Sequence, residues 1–306
     1  ERRMNIAMTT KQNRTLVSLA RYGVMILLAI VFAFPIVFMM VSSLKPSIQI
    51  LRDSSSLLAF LPVGDISIEN YFKAFQRAPI SVFVFNSLLI TSVTMVLGLL
   101  INSMAGFALA SMRWKGQQIV LSVIIATLIM PFETIAVPLL MVVSKLPWIG
   151  LEGLNYGWLN SLHVQIIPFI VDAFSIFLFV QYFKALPYEL IEAARIDGAG
   201  WFRIYAQVIV PISGPVFATV AILRGLFMWN QYLWPSMVVQ STQYRPVMVG
   251  FGYFWQLTSS NVAGEGILPW GEMMAYLTVI TVPIIILFVS LQRAFVQSIA
   301  TTGIKG

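Results

Sequence analysis

The residue types that carry most enzyme chemistry are scarce in this 306-residue sequence. It has no cysteine and a single histidine, His163. Disulfides, thiolate nucleophiles and a histidine-built metal cluster are therefore excluded. No Gly-Lys dipeptide occurs, so no Gly-x4-Gly-Lys-Ser/Thr loop is present to cradle nucleotide phosphates. What remains is a small set of polar side chains inside apolar runs: Glu133, Asp172, Arg224, Asn230 and Gln231. Ionisable groups at bilayer depth are costly, and they either pair with one another or line a polar path. There is no clustered acid pair to build a reaction centre from, so no catalytic residue and no metal ligand is assigned.

Arg224 sits near the middle of an apolar run, and Met228 and Gln231 follow four and seven residues later, on one helical face. One reading makes this face a solute path, with Arg224 meeting an anionic or hydroxyl-rich solute. The other makes Arg224 half of an interhelical pair with Asp172 or Glu133. Glu133 follows Met130-Pro131, a broken-helix context in which a carboxylate can cap freed backbone groups. Trp229-Asn230-Gln231-Tyr232-Leu233-Trp234-Pro235 offers amides for sugar hydroxyls and rings for sugar faces. The same aromatics also suit an interfacial belt. Arg224, Asn230 and Gln231 are the substrate-path candidates. Asn86-Ser87 and Asn102 are small polar groups of the kind that bond across helices.

Apolar helices must position these groups. The chain is 58% hydrophobic and 10% charged, with mean hydropathy +0.86, against about 25% charge in a soluble domain. Six spans are expected, at about 22–41, 82–110, 119–143 (interrupted by Pro131 and Pro138), 166–183, 212–234 and 272–291. Each is long enough for about 30 Å of hydrocarbon. Residues 1–21 form a polar N-terminal segment, 292–306 a tail, and 44–80, 144–165 and 235–271 the loops of the opposite side. The first run is too long for a signal peptide and no small-x-small cleavage site follows it. Of nineteen Lys and Arg residues, twelve fall on the side of the termini and six on the other. The positive-inside rule then puts both termini in the cytoplasm, which also explains the net charge of +7 without nucleic acid.

One stretch, Lys184 to Pro215, is a charged island between two apolar runs. Pro187 suits a first helical turn, where a missing N–H is no loss. Glu189 and Glu192 follow in the early turns, where the helix dipole favours acids. Gly198, after Ile196 and Asp197, can take the left-handed conformation that ends a helix. The spacing predicts a short helix over 187–197 and a second helical stretch over about 200–210. Ala193, Ala194, Gly198, Ala199 and Gly200 are small and would let another backbone approach. An amphipathic helix lying on the bilayer would read similarly.

Glu192-Ala193-Ala194, Gly198 four residues past Ala194 and Pro211 thirteen residues past Gly198 resemble the EAA loop of ABC-importer permeases. Leu186-Pro187, Glu189-Leu190 and Glu192 to Ala199 resemble its carbohydrate-uptake branch, which includes maltose and glycerol-3-phosphate permeases. Val208-Ile209-Val210-Pro211 stands where that family usually has Ile-x-Leu-Pro. The resemblance runs from about Tyr22 to Gly306. It implies an all-α type I ABC importer permease fold with six transmembrane helices in a bacterial inner membrane. It also implies that loop 184–211, through Glu189, Glu192, Ala193, Ala194, Asp197 and Gly198, docks on an ATPase subunit. The implied partners are a second, homologous permease subunit, two cytoplasmic ATPase subunits that bind ATP and Mg, and an extracytoplasmic solute-binding protein. The solute would be a sugar or a glycerol-3-phosphate-like molecule. An ion-coupled secondary transporter is the alternative; it needs midplane carboxylates, for which only Glu133 and Asp172 are at hand, and no internal repeat supports it.

Overall fold

The computed structural model describes residues 2–150, 153–260 and 268–303. In chain order the elements are α1 (Arg2–Ser42), α2 (Ser47–Asp53), α3 (Glu69–Arg77), α4 (Ile80–Ser111), α5 (Gln117–Thr127) and α6 (Phe132–Val143). A hairpin of β1 (Pro147–Gly150) and β2 (Gly153–Tyr156) follows, then α7 (His163–Ile166), α8 (Ala173–Lys184), α9 (Glu189–Ile196), α10 (Trp201–Ile204) and α11 (Val210–Ile212). The chain continues through α12 (Gly214–Trp229), α13 (Leu233–Val238), α14 (Val247–Ser260) and α15 (Trp270–Gly303). Among the described residues, four helical stretches are long and apolar enough to cross a membrane, at Val17–Ser42, Ile80–Ser111, His163–Lys184 and Trp270–Gln292. Two bent pairs raise the count to six if each is one span.

One bend falls at Pro131, where the third span is expected to be interrupted, and the other falls between the helical stretch expected over about 200–210 and the fifth span. α5 and α6 meet at 103°, and the break falls at Met130-Pro131, where Pro131 is extended at φ −66° and ψ 140°; a residue before proline is disfavoured from the helical region. Pro138, by contrast, lies inside α6. The second pair, Trp201–Ile212 and Gly214–Trp229, meets at 82°. Between α10 and α11 the backbone widens into a π-helical turn at Tyr205–Ile209; Pro211 just beyond lacks the N–H that a tighter ladder would use. The expected fifth span to Trp234 instead stops at Trp229. The Asn230 amide N–H and its side-chain Nδ2 both donate to Leu226 O, and that side-chain bond competes with helix continuation. Gln231 is therefore off the helix; it lines a small cavity with Met228 but not with Arg224. Helix α1 runs through the polar N-terminal segment, and the loops at 44–80, 144–165 and 235–271 hold short helices and a hairpin. The last three residues of the expected tail, and residues 261–267 of the outer loop, lie outside the described residues.

Two units pack separately. The first comprises residues 1–78 and 255–279. Its polar centre is Lys45, whose buried Nζ lies 2.8 Å from Asp53 Oδ2 and donates to Leu58 O at 2.7 Å. Arg77 grips Glu272 through two bonds of 2.7 and 3.1 Å, a bidentate geometry that fixes both side chains.

The second unit comprises residues 79–254 and 280–306. α4 and α8 form its spine. Its cores form separate clusters. One groups Phe107, Phe179, Phe183, Ile191, Ile204, Tyr205 and Ile209. The other groups Ile90, Val143, Val164, Phe169, Met228 and Trp234. Beside the latter, strap 240–247 is pinned by side chains. Asn86 Nδ2 donates to Gln243 O and Arg245 O, Ser87 Oγ accepts from Val247 N, and Asn160 Oδ1 accepts from Gln240 N and Ser241 N. Asn86 and Ser87 thus do bond across elements, as their size suggests.

The Lys45 ammonium, hydrogen-bonded to Asp53, holds that carboxyl below the usual carboxylate range. A depressed carboxylate contributes stability that is present above its unfolded-state pKa and is lost as pH falls through the folded one. Hydrogen exchange over residues 47–60, corrected for intrinsic rates, should show faster opening only below the ordinary carboxylate range. Lys45→Met should move the onset to higher pH.

Candidate functional site: a short capped helix and an open cavity

Pro187 and Tyr188 lead into α9, with Glu189 and Glu192 in its first turn and Arg195 in its last. Gly198 follows at φ +75°, the left-handed conformation anticipated for it. The Gly198 N–H donates to Arg195 O and the Ala199 N–H to Ala194 O, so the last carbonyls of α9 are closed off by a Schellman pattern. Ile191 is the only residue of α9 that is fully buried, and it joins the Phe107–Phe183 cluster. Its burial contributes roughly 1.5–3 kcal/mol, more than the 0.3–1 kcal/mol or so of an acid at the helix start. Ile191 therefore sets how α9 sits. Glu189, Glu192, Ala193, Asp197 and Gly198 point outward, and Ala194 is half-buried. Ile196 is 87% exposed and Phe202 in α10 is 70% exposed. Arg195 lies over the Trp201 ring at 5.0 Å. The structure thus gathers the six coupling candidates on one small helix and its cap. Sequence reading passed over Ile196 and Phe202, whose exposure no pattern of small residues signals.

The substrate-path candidates separate. Arg224 is buried in α12; its Nε lies 3.7 Å from Asp172 Oδ2, its guanidinium donates to Phe169 O, and it lies 5.5 Å from the Phe227 ring centre. That is the interhelical pair, with Asp172 as the partner. Asp172 is also the N-cap of α8, its carboxylate accepting from Phe174 N and Ser175 N. Asn230 and Gln231 instead line an open cavity of about 500 Å³ with Phe132, Glu133, Phe227 and Tyr232. Arg224 is not in its lining. Glu133, expected to cap freed backbone, is an exposed residue of the first turn of α6 facing that cavity. The bend before α6 brings Glu133 to the end of α12, a juxtaposition that a straight third span would not give. Among the described residues no cluster of His, Cys, Asp or Glu could hold a metal.

Comparison with known proteins bears on this arrangement. Residues 102–301 match the family of binding-protein-dependent transport system inner membrane components. The chain is 33% identical to the arabinooligosaccharides transport system permease protein AraQ of Halalkalibacterium halodurans, over 91% of this chain and 93% of that one. It is 29% identical to the lactose transport system permease protein LacG of Rhizobium radiobacter, over 95% and 97%. It is 28% identical to the sn-glycerol-3-phosphate transport system permease protein UgpE of Brucella abortus, over 95% and 99%. The fold resembles a chain in the crystal structure of a bacterial ABC transporter involved in import of the acidic polysaccharide alginate. The TM-score there is 0.74 at 19% identity, covering 92% of this chain and 96% of that chain.

A side chain at position 198 would meet no heavy atom within 4 Å, so replacing Gly198 is limited by backbone alone. Gly198→Ala should cost roughly 1–2 kcal/mol of local stability, seen as faster hydrogen exchange at 194–199 with the rest of the chain unchanged.

Proposed function

Because this chain belongs to the family of inner membrane components of binding-protein-dependent transport systems, we propose that α9 is the handle by which a separate ATPase subunit drives it. The chain is a multi-pass permease subunit of an ABC importer, not an enzyme. The observation that carries the proposal is the build of α9, with one buried anchor, an ordered cap and an outward face on which Ala193 lies between Glu189, Glu192 and exposed Ile196. A groove on the ATPase subunit takes that face. ATP and Mg are held by the ATPase subunits, and the chain supplies the permeation helices. A second permease subunit completes the path, and an extracytoplasmic binding protein delivers the solute. Both termini and loop 184–211 lie in the cytoplasm, in keeping with the excess of Lys and Arg on that side. Closure of the ATPase pair then shifts the permease between inward- and outward-open states.

The solute is a sugar or a short oligosaccharide. The cavity offers a carboxylate, two amides, a phenol and two phenyl rings, and none of its lining residues is cationic. Such groups bond hydroxyls and stack on sugar faces. A phosphate would call for a cation, and the charge of Arg224 is already met by Asp172. This departs from the anionic preference that an unpaired Arg224 would support. The ion-coupled alternative loses its carboxylate at Asp172 to the same pair.

Two outcomes are expected in the purified, reconstituted complex. Ala193→Arg should abolish uptake and leave ATP hydrolysis unresponsive to loaded binding protein; an ion-coupled carrier would hardly notice it. Gln231→Ala should reduce uptake of a neutral disaccharide about three- to tenfold, the worth of one or two lost hydrogen bonds. Glycerol-3-phosphate should be a poor substrate throughout.

A further inference from the structure

The helical ladder of the fourth span is interrupted at residues 170–172, between a 3-10 turn at Ile167–Phe169 and α8. Asp172 there is extended, at φ −145° and ψ 129°. In hydrocarbon every backbone polar group released by such a break must be satisfied from within the protein, and two neighbouring helices supply the partners. Asn102, fully buried in α4, donates Nδ2 to Ile170 O at 3.0 Å and accepts at Oδ1 from Asp172 N at 3.1 Å. Arg224 of α12 donates to Phe169 O and stands 3.7 Å from Asp172 Oδ2. Gly98 lets the backbones approach, since a Cβ there would come within 3.1 Å of Ile170 O.

Apolar packing changes at the same level. Phe169, before the break, belongs with Val164, Met228 and Trp234. Phe179 and Phe183, after it, belong with Ile191 and Tyr205. α8 runs through only four residues, 185–188, into α9. The break therefore divides the part of the chain packed with the docking helix from the part packed at the cavity end of α12.

We propose that residues 170–172 form a hinge at which α8 and α9 turn together against the other cluster in each transport cycle. Asn102, Asp172 and Arg224 are positioning residues that hold its end states. A continuous helix resists bending because its own hydrogen bonds must break. At this level those bonds are replaced by side-chain bonds from α4 and α12, which can be exchanged. Asp172 Oδ2 accepts from Ser175 N at 3.0 Å with Arg224 Nε in reach, and that Nε makes no hydrogen bond in this state. A donor is thus held in reserve for the other position. The inference rests on α9 being the ATPase handle.

The absence of cysteine makes the hinge directly measurable. Leu159→Cys and Gln181→Cys introduce spin labels at exposed positions on either side of it. Their separation is read by pulsed electron resonance in the complete complex with cysteine-free partners, nucleotide-free and ATP–vanadate-trapped. The hinge predicts a shift in mean distance between the two states; an unchanged distance overturns it. Arg224→Gln should suppress the shift and lower solute moved per ATP by about 5- to 150-fold, the range of a typical coupling energy, with the ATPase still bound. Asp172→Asn added to it should recover part of the ratio, since it removes the charge left unpaired. A ratio unchanged in Arg224→Gln overturns the positioning role, as does a loss confined to anionic solutes. Ala193→Arg separates the two readings. If it leaves uptake intact while the distance still shifts, the handle falls and the hinge stands.

Discussion

The insertion of Ile191 into the aromatic cluster of Phe107, Phe179 and Phe183 is the contact on which this structure turns. α9 has eight residues, too few to be stable alone in water. Its carbonyl end is closed by Gly198 and Ala199, and its underside is fastened by Ile191. Tyr205 enters the same cluster from the π-helical turn, and its hydroxyl shares a hydrogen bond of 2.7 Å with Ser103 of α4. A push on the outer face of α9 thus enters α8, α4 and the start of α12 through one packed knot. Close-packed side chains transmit displacement because they have no room to absorb it.

The second governing constraint is the one a bilayer imposes on backbone. Two irregular segments of the second unit are met by polar side chains from regular helices. Asn102 and Arg224 serve the break in the fourth span, and Asn86 and Ser87 serve strap 243–247. Asn86, Ser87, Asn102 and Arg224 thus hold irregular backbone in place. The polar residues left facing open space, Glu133, Asn230, Gln231 and Tyr232, are few and clustered.

Much of this was legible from residue order. The short helix and its glycine stop follow from local rules: Pro187 at the start, acids in the first turn and Gly198 where a left-handed residue was needed. The pairing of Arg224 with Asp172 was one of two readings, because sequence shows that a buried cation needs an anion but not which anion lies nearest. The bends were harder to see. Hydropathy averages over them, and Pro131 and Pro138 look alike in sequence, yet one breaks the helix and the other sits inside it. α12 ends at Trp229, Asn230 folds its side chain back onto Leu226 O, and Gln231 lies beyond the helix in the company of Glu133; composition reveals none of this.

The account stands or falls on where the outward face of α9 lies and what touches it. The most direct measurement places a single cysteine by Ile196→Cys in the otherwise cysteine-free chain and assembles the full complex in sealed vesicles of each orientation. Labelling by a membrane-impermeant thiol reagent only from the cytoplasmic side, together with cross-linking to an ATPase subunit, is the predicted result. Labelling from the outer side, or a cytoplasmic face that cross-links to no other subunit, would contradict it.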